Sequence, residues 1–490
     1  MPLMPEDMQK FFSPRSIAFV GVSRSAGRFG GLSFLTKYKE AGYAGGLYPI
    51  NPKADHILGI KAWPDLESLP ETPDLAMVAV AADKVPEVVV ACARGGIRHI
   101  HLLTSGFDEL GGEKGRLMKA RLVAVCREND VLLIGPNCMG PYRPASRLTA
   151  WGAIPGLAGP LGIISQSGGM TQRLTEYAAS LGLGVEKAVS VGNGSVLDAL
   201  DFLEAFGQDP AIRVIGMYLE SVADGRRLMD LARGIGRTKP IVVIKGGQTE
   251  VGARTAASHT GALAGSRAIW EAVMRQANMI SVETLDEWLD TLMIFAHIPA
   301  PASEKVFIIG GGGGSSVIYG DTCERAGLRV PPLSAQTMQA LRQLTPEAGS
   351  IAGNPLDHWQ VFSDAPYLAR LIDLAEQDPG IGLILVDRLI ARTAFHMDVS
   401  FDPTPDTLAL LRQRSGTKPL VFVVDSEGGD PDLAARGASV RALYGTAGYA
   451  VFPGIGRAAR AIRRHCRYHE KRTALIQRDN VRPAQITTPG

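Results

Sequence analysis

The sequence predicts an α/β protein built from three consecutive doubly wound parallel-sheet domains. Two observations lead to this fold class. Short apolar runs alternate with helical stretches along almost the whole chain of 490 residues, a pattern that is typical of parallel sheets covered by helices on both faces. The alternation is interrupted twice, at residues 143–160 by a segment rich in Pro, Gly and Ala and at residues 298–304 by the segment IPAPASE. Three domains also suit the length, since a domain holds roughly 150 residues.

The first series of strands predicts a domain over residues 1–145. Its apolar runs are SIAFVGV (16–22), LAMVAVA (75–81), RHIHLLTS (98–105) and VLLIGPN (131–137). The opening segment, MPLMPEDMQKFF, lacks the charged and apolar regions of a signal peptide.

Two further series predict a second domain over residues 155–298 and a third over residues 303–470. The second series is LGIIS (161–165), VEKAVSVG (185–192), IRVIGMYLE (212–220) and PIVVIKGG (240–247). The third is KVFIIGGGGG (305–314), GLILVD (382–387) and PLVFVVD (419–425). Residues 471–490 are polar and contain two prolines, which predicts a flexible tail.

Composition excludes several classes of protein. Hydrophobic residues make up 46% and charged residues 20% of the chain, which is typical of packed globular domains and excludes wholesale disorder. The net charge of +2 argues against nucleic-acid binding. The basic run at residues 457–472, RAARAIRRHCRYHEKR, has its arginines at helical spacing and predicts a solvated helix face.

The cysteines and the hydropathy pattern predict a cytoplasmic protein outside the membrane. No apolar run approaches 18 residues. The cysteines form no CxxC pair and no metal-ligand spacing, so we expect reduced thiols and no metal site. They are Cys92, Cys126, Cys138, Cys323 and Cys466.

The first strand-to-helix turn, FVGVSRSAGRFGGLSF (19–34), is rich in glycine but does not contain GxGxxG. A dinucleotide fingerprint is therefore absent, although such a turn can still hold the phosphates of a nucleotide against a helix N-terminus. The second strand ends at Lys53 of LYPINPK, where a positive charge could meet a ribose or phosphate group. An ordinary tight turn and a surface lysine explain these motifs equally well.

Two later turns predict anion sites. GIISQSGGMTQRL (162–174) places serines and glycines at the start of a helix, where hydroxyl and free N–H groups converge. FIIGGGGGSSVIYGD (307–321) contains five consecutive glycines, each of which costs on the order of 1 kcal/mol relative to alanine in a helix. Neither turn is a P-loop, because no Gly-Lys-Ser/Thr follows.

His259 is surrounded in sequence by small and hydroxyl residues, in GQTEVGARTAASHTGALAGSRAIWEAVMRQ (247–276). A helical apolar stripe that includes Ile269 and Val273 follows it and is expected to face inward. Small residues let backbone segments approach closely. Two interpretations stay open at this point: a loop histidine held by its neighbours, or a nucleophilic imidazole that accepts a phosphoryl group.

Taken together, the motifs resemble those of the nucleoside-diphosphate-forming acyl-CoA synthetases, which include succinyl-CoA synthetase and ADP-forming acetyl-CoA synthetase. The resemblance runs in family order from residue 11 to about residue 360. The matching stretches are FFSPRSIAFVGVS, LYPINPK, LIGPNCMG, GIISQSGGM, SVGNGSVLDALDFLE, YLESVAD, KGGQTEVGARTAASHTGALAG and GNPLDHW. It implies a Rossmann-like CoA-binding domain followed by two flavodoxin-like, succinyl-CoA-synthetase-like domains, the third being a ligase-type CoA domain.

The resemblance also assigns residues to roles. His259 is the phosphorylated nucleophile, and Glu220 orients its ring through the second ring nitrogen. The phosphate-binding positions are Ser165, Ser167, Gly168, Gly169, Gly311, Gly312, Gly313 and Gly314. The CoA-binding positions are Gly21, Ser23, Lys53, Thr104, Ser105 and Asn137.

The implied reaction is carboxylic acid + ATP + CoA = acyl-CoA + ADP + phosphate. Complete members of the family carry an ATP-grasp module of roughly 200 residues, more than one typical domain, for which this sequence offers no candidate. We therefore expect a separate ATP-grasp subunit that supplies ATP/ADP and Mg²⁺, a small carboxylic acid as substrate, and a homo- or hetero-oligomer.

Two other functions on the same scaffold stay open: an acyl or carbamoyl transferase independent of ATP, and a CoA-binding regulator. An NAD-dependent dehydrogenase is disfavoured, because the first turn lacks the fingerprint and no acidic residue follows at a strand end.

Overall fold

The structure is a computed structural model that describes most of the chain. It covers residues 3–23, 30–151, 157–260, 266–298, 300, 303–310, 312–345, 350–390, 393–394, 397–398, 403–426 and 430–481. For residues 256–260, 393–394, 397–398 and 478–481 it describes the backbone alone. Within these ranges no helix is both long and apolar enough to cross a membrane.

The first sheet is formed by residues near the N-terminus. Its region contains β1 (Ser16–Val20), β2 (Gly46–Ile50), β3 (His56–Ile57), β4 (Ile60–Lys61), β5 (Leu75–Val78), β6 (His99–Leu102) and β7 (Leu132–Ile134). The helices are α1 (Pro5–Phe12), α2 (Gly31–Glu40), α3 (Val85–Arg94) and α4 (Gly112–Glu128). The strand order is β2-β1-β5-β6-β7, and the described pairings are parallel. Every residue of β1 is buried, as expected for a strand covered on both faces.

The second sheet follows. Its strands are β8 (Gly140–Tyr142), β9 (Leu161–Ser165), β10 (Val185–Ser190), β11 (Val214–Leu219), β12 (Ile241–Lys245) and β13 (Ile280–Val282). Its helices are α5 (Gly168–Ser180), α6 (Ala199–Gln208), α7 (Gly225–Ile235), α8 (Glu250–Thr260), α9 (Arg267–Gln276) and α10 (Leu285–His297). The strand order is β13-β12-β11-β9-β10-β8, with β8 antiparallel to β10. The edge strand β8 thus comes from residues that the sequence analysis placed in the first domain.

The third sheet is also parallel, with strand order β15-β14-β16-β19-β20. The strands of this region are β14 (Val306–Gly310), β15 (Leu356–Asp357), β16 (Leu383–Ile390), β17 (Thr393–Ala394), β18 (Met397–Asp398), β19 (Leu420–Ser426) and β20 (Ala450–Phe452). The helices are α11 (Gly313–Arg325), α12 (Ala335–Leu344), α13 (Ala365–Gln377), α14 (Thr404–Leu411), α15 (Pro431–Thr446) and α16 (Ile455–Val481). β17 and β18 pair separately as a short antiparallel ladder.

The chain divides into two compact units. The first compact unit contains residues 1–179 and 184–285 and holds the first two sheets; the second contains residues 180–183 and 286–490 and holds the third. Nearly all of α10 therefore groups with the third sheet, whereas the sequence analysis placed it in the second domain. The exact bounds of the three predicted domains stay a prediction.

In the first compact unit, α1 packs between the elements of the first two sheets. Phe11 and Phe12 are fully buried. The Phe11 ring meets His99 of β6 edge-on, with the ring centroids 5.0 Å apart, and the Phe12 ring meets Phe206 of α6 at 5.9 Å. The apolar end of the opening segment is therefore part of the folded core.

The basic run of α16 differs from its prediction. Arg457 forms an ion pair with Asp290 of α10, and Arg464 lies 2.6 Å from Glu287 of the same helix. A solvated face was thus the wrong expectation for these two arginines, because a stretch of acidic residues on α10 lies beside them. The helix also continues to Val481, so the first part of the predicted flexible tail is helical.

The helix predicted after His259 is present as α9. Met274 on it is buried, but Ile269 is 67% exposed. The expectation that Ile269 faces inward was therefore wrong.

Candidate functional site

The predicted CoA-binding residues lie at one edge of the first sheet. They follow the carboxyl ends of β1, β2, β6 and β7, which point the same way because the strands are parallel. Ligands of open parallel sheets bind beyond this edge, where the strand order reverses. The residues placed there are Gly21, Ser23, Lys53, Thr104, Ser105 and Asn137.

The backbone passes very closely at the point where the order reverses, between β1 and β5. Gly21 has a φ of +91°, and a Cβ at this position would lie 2.5 Å from the carbonyl oxygen of Ala79. The Thr104 hydroxyl donates to the carbonyl oxygen of Val80 at 2.6 Å. Glycine is therefore required at position 21, and the Thr104 side chain contributes to the shape of the edge.

Asn51 organises this edge and was missed by the sequence analysis. Its Nδ2 donates to the carbonyl oxygen of Val22 at 2.7 Å, and its Oδ1 accepts the amide of Lys53 at 2.8 Å. One side chain thus joins the loop after β1 to the loop after β2. The signal available in the sequence was an Asn two residues before Lys53, since Asn side chains commonly bond to the backbone two residues on.

Four of the six predicted CoA contacts are open to solvent, namely Gly21, Ser23, Lys53 and Ser105. Asn137 is half-buried and contacts a loop of the second sheet. Its backbone amide donates to the carbonyl oxygen of Thr104 at 2.9 Å, and its side-chain Nδ2 lies 3.4 Å from Oδ1 of Asn193. The edge of the first sheet therefore continues into the loop that follows β10.

The turn between β9 and α5 is held by its two serines. The buried Ser165 hydroxyl donates to the carbonyl oxygen of Ser167 at 2.9 Å and accepts the Ser167 amide at 3.1 Å. The Ser167 hydroxyl accepts the amide of Met170 at 3.3 Å and so caps α5. Both hydroxyls are engaged in shaping the turn.

The amides of Gly168 and Gly169 are the free donors of this turn. No hydrogen bond among the described residues uses either of them. Among the described residues, no heavy atom outside its chain neighbours and its own helix backbone lies within 4 Å of the position that a Cβ would occupy at Gly169. Free amides and the positive end of α5 together favour an anion at this place.

Glu220 follows β11 and is 8% exposed. Its Oε1 accepts a hydrogen bond from the Tyr218 hydroxyl at 3.1 Å. Its Oε2 has no hydrogen-bond partner within the described part of the chain. A buried carboxylate oxygen without a donor is costly, so the geometry leaves room for a donor from a neighbouring group.

Gln166 ties the two halves of this region together. Its Oε1 accepts the amides of Glu220, at 2.6 Å, and Ser221, at 3.1 Å, and its Nε2 donates to the carbonyl oxygen of Ser221 at 2.9 Å. Gln166 lies between the two serines of the turn that precedes α5. Hydrogen bonds of Gln166 therefore connect the predicted phosphate-binding turn to the backbone beside Glu220, the carboxylate predicted to orient His259.

Lys245 is a buried cation beside this structure that the sequence analysis did not identify. Its Nζ donates to the carbonyl oxygen of Glu220 at 2.7 Å and to that of Gly246. Burial lowers the pKa of Lys245, and the charge of Glu220 opposes that shift. A lysine that ends an otherwise apolar strand, IVVIK, was the available signal.

The backbone of His259 lies in α8, in its last turn, rather than in a loop. The helix begins at Glu250, shortly after the loop that leaves β12 beside Lys245. It lies next to the short 3₁₀ turn at Asp108–Leu110 of the first sheet's region. The His259 side chain lies outside the described residues, so its predicted role stays a prediction.

A cleft of about 390 Å³ lies between loops of the first sheet and loops of the second sheet. Its lining contains Gln166, Asn193 and Ser221 from the second sheet and Asp108 and Lys119 from the first. The Lys119 ammonium group lies 2.6 Å from the Asp108 carboxylate. The cleft therefore reaches from Asp108 and Lys119 in the first sheet's region to Gln166 in the turn that precedes α5, and its lining includes none of the predicted CoA-binding residues.

The glycine-rich turn of the third sheet is described by itself, because it belongs to the second compact unit. The Gly312 amide donates to the Asp357 carboxylate. Gly313 and Gly314 begin α11, and in the described part of the chain no heavy atom beyond its chain neighbours and its own helix backbone lies within 4 Å of a Cβ position at Gly314. Gly311 lies outside the described residues. The phosphate-binding role of this turn stays a prediction, and Asp357 already occupies part of the helix end.

A buried carboxyl group lies beside the same turn. Asp387 of β16 is 2% exposed, and its Cβ lies 3.3 Å from the position that a Cβ would take at Gly310. Burial, and to a smaller extent the charge of Asp425, raises the pKa of Asp387 to about 7. Among the described residues, no group of three His, Cys, Asp or Glu side chains is arranged to hold a metal ion.

Two family models match the chain. The CoA-binding domain matches residues 15–144, and the succinyl-CoA-ligase-like flavodoxin domain matches residues 158–295. Fold and site thus define a protein in which a CoA-binding domain precedes a succinyl-CoA-ligase-like domain.

Relatives narrow this class. The alpha subunit of acetate–CoA ligase (ADP-forming) I from Pyrococcus furiosus is 35% identical over 355 residues, which cover 71% of this chain and 76% of the relative. The acetate–CoA ligase (ADP-forming) II from Archaeoglobus fulgidus is 32% identical over 426 residues, which cover 86% of this chain and 61% of that longer relative. The chain belongs to the ADP-forming acyl-CoA synthetases.

A solved structure agrees with this assignment. The dinucleotide-forming acetyl-coenzyme A synthetase 1 of Ca. Korarchaeum cryptofilum, in complex with phosphate and ADP, matches with a TM-score of 0.84 at 28% identity. The match covers 96% of this chain and 99% of that chain. The family and the α/β fold class predicted from the sequence are therefore confirmed.

Proposed function

We propose that the chain is the CoA-binding, phosphohistidine-bearing subunit of an ADP-forming acyl-CoA synthetase. The reaction is carboxylic acid + ATP + CoA = acyl-CoA + ADP + phosphate. The observation that carries the proposal is the buried Oε2 of Glu220, which lacks a donor among the described residues and which Gln166 connects to the amides at the start of α5. A protein that only bound CoA would need neither feature.

The residues of the first compact unit divide the chemistry between them. His259 attacks the γ-phosphorus of ATP, ADP leaves, and Glu220 accepts a hydrogen bond from the other ring nitrogen, which fixes the tautomer. The amides of Gly168 and Gly169 and the N-terminus of α5 stabilise the phosphoryl group. The phosphoryl group then passes to the acid's carboxylate, and the CoA thiol attacks the acyl phosphate carbonyl, losing its proton and releasing phosphate.

The edge of the first sheet binds CoA in this proposal. Gly21 lets the backbone approach the ligand, while Ser23, Thr104, Ser105 and Asn137 offer hydrogen-bonding groups. Lys53 is exposed and meets a phosphate of CoA as a point charge. The matched CoA-binding model over residues 15–144 supports this assignment.

The nucleotide is supplied by a partner in this proposal. ATP and Mg²⁺ are held by an ATP-grasp subunit, since activation of a carboxylate needs the phosphates of ATP positioned with Mg²⁺ and basic groups. Two relatives from Pyrococcus furiosus are named as alpha subunits, which supports a two-subunit enzyme. The substrate is a small carboxylic acid; relatives are named for acetate and for 4-hydroxybutyrate.

The test is phosphorylation in the presence of the partner subunit. Incubation with γ-labelled ATP should give a protein phosphate that is labile in acid and stable in base. His259→Ala should abolish the label, whereas His56→Ala, which removes an exposed histidine of β3, should leave it unchanged. Label that survives in His259→Ala would remove the assignment.

CoA binding is measured separately by calorimetry on the chain alone. Lys53→Ala should weaken binding, and the difference should shrink as salt screens the charge. Lys114→Ala, at an exposed lysine of α4, is the matched control. A folded chain that binds no CoA would overturn the interpretation of the first sheet.

A further inference from the structure

Tyr218 lies in β11, and Glu220 directly follows that strand, two positions further along the chain. The Tyr218 hydroxyl donates to Glu220 Oε1 at 3.1 Å, while Oε2 has no donor among the described residues. A carboxylate can present either oxygen to a neighbouring group. Here Oε1 already accepts one hydrogen bond, whereas both acceptor positions of Oε2 are open to a donor such as an imidazole.

Gly246 makes room for this pair. A Cβ at position 246 would lie 2.9 Å from the Tyr218 hydroxyl oxygen and 3.3 Å from Glu220 Cγ. The backbone of Glu220 is fixed as well, because its amide donates to Gln166 and its carbonyl oxygen accepts from Lys245. Side chain and backbone of Glu220 are therefore both held in place.

We propose that Tyr218 is a positioning residue for the phosphohistidine step: its bond to Oε1 holds the Glu220 carboxylate in one orientation and leaves Oε2 to accept the hydrogen bond from the imidazole of His259. This inference rests on the proposed function. Burial, followed by the charge of Glu220, raises the pKa of Tyr218 to about 12. The hydroxyl therefore stays protonated and remains a donor throughout the neutral pH range.

The test compares Tyr218→Phe, Glu220→Gln and the double variant, each with the partner subunit and labelled ATP. Tyr218→Phe should lower the initial rate of His259 phosphorylation about tenfold, the factor expected for losing a hydrogen bond to a charged group. CoA affinity should not change. Because Tyr218 acts through Glu220, the double variant should be as slow as Glu220→Gln alone.

Tyr48→Phe is the matched control. The Tyr48 hydroxyl donates to Glu71 Oε1 at 2.9 Å, so this variant also removes one tyrosine–glutamate hydrogen bond, but an exposed one at the edge strand β2. It should phosphorylate at the wild-type rate. The inference would be overturned if the two substitutions lowered the phosphorylation rate independently, so that their effects added in the double variant. It would also be overturned if Tyr218→Phe phosphorylated at the wild-type rate while Glu220→Gln was slow.

Nitrogen NMR of the His259 ring in the chain alone separates this inference from the proposed function. The neutral ring should hold one tautomer in the wild type and a mixture in Tyr218→Phe and in Glu220→Gln. If the wild type is not labelled by ATP, the proposed function fails, while a single tautomer that Tyr218→Phe disturbs still supports the positioning role. The same tautomer population in all three proteins would overturn it.

Discussion

The backbone amide of Gly312 donates a hydrogen bond to the carboxylate of Asp357, although the two residues are 45 positions apart. α11 begins one residue later, at Gly313. A carboxylate of the chain itself therefore meets the positive end of this helix, where an N-cap side chain would otherwise accept from a free amide. A phosphate that approached the same turn would meet a helix end whose charge is already partly balanced.

Asp357→Ala should destabilise the second compact unit by about 1 kcal/mol, because it removes the acceptor from the start of α11. The measurement is the urea dependence of unfolding. Asp321→Ala, at an exposed position of the same helix, should produce no measurable change. Equal stability of Asp357→Ala and the wild type would mean that water satisfies the Gly312 amide just as well.

Asp387 should make stability depend on pH. Its pKa is raised to about 7 in the folded protein, above the ordinary value near 3.8. The folded state therefore favours the protonated carboxyl group: this contribution is fully present below about pH 4 and is lost as pH rises through 7. The shift in the pKa of Asp387 corresponds to a loss of about 4 kcal/mol in the free energy of unfolding between pH 4 and pH 7.

Asp387→Asn keeps a neutral side chain of the same shape at every pH. It should match the wild type in free energy of unfolding at pH 4 and exceed it at pH 8, as measured by chemical denaturation at both values. A wild type that is as stable as the variant at pH 8 would show that the carboxylate is accommodated in its charged form.

The three sheets could be predicted because their strands are buried on both faces and so appear as continuous apolar runs, as in VFIIG of β14. β8 was missed as part of the second sheet, since GPY at 140–142 is short and contains proline. The ion pairs of Arg457 and Arg464 were also missed. Their partners lie on α10, far away in sequence, and helical spacing alone cannot identify them.

In the candidate site, too, some residues could be predicted from the sequence and others could not. The turn before α5 was predicted from its serines and glycines at the start of a helix, and Glu220 from the family motif YLESVAD. Asn51, Gln166 and Lys245 were not, because each acts through bonds to the backbone of a neighbouring strand end. Tyr218 was within reach of the sequence, since residues two apart on a strand share a face.

If the edge of the first sheet binds CoA, as proposed, Gly21→Ala should weaken CoA binding at least tenfold. The φ of +91° is unfavourable for alanine, and the added Cβ would lie 2.5 Å from the carbonyl oxygen of Ala79, so the loops must move apart. Calorimetry with CoA measures the effect. Gly95→Ala, whose Cβ would make only ordinary contacts, should bind CoA like the wild type.

Arg457→Leu should destabilise the second compact unit by about 3 kcal/mol, as expected when one partner of a buried ion pair is removed. The Arg457 guanidinium group donates to both carboxylate oxygens of Asp290, at 2.7 and 2.8 Å, and Asp290 is 6% exposed. Burial already raises the pKa of Asp290, and Arg457 opposes that shift. Without Arg457 the buried carboxylate loses both of these hydrogen bonds and keeps only the weaker attraction of Arg460, so it should bind a proton more readily.

Two results of the same denaturation experiments would distinguish this explanation from a simple loss of packing. The destabilisation caused by Arg457→Leu should become smaller as pH falls, because protonation removes the isolated charge. Adding Asp290→Asn should recover much of the lost stability at neutral pH, since it removes the same charge. Arg325→Leu breaks an exposed pair with Asp321 and should have no measurable effect. A loss in Arg457→Leu that is independent of pH and is not reduced by Asp290→Asn would instead assign the effect to the packing of the arginine side chain.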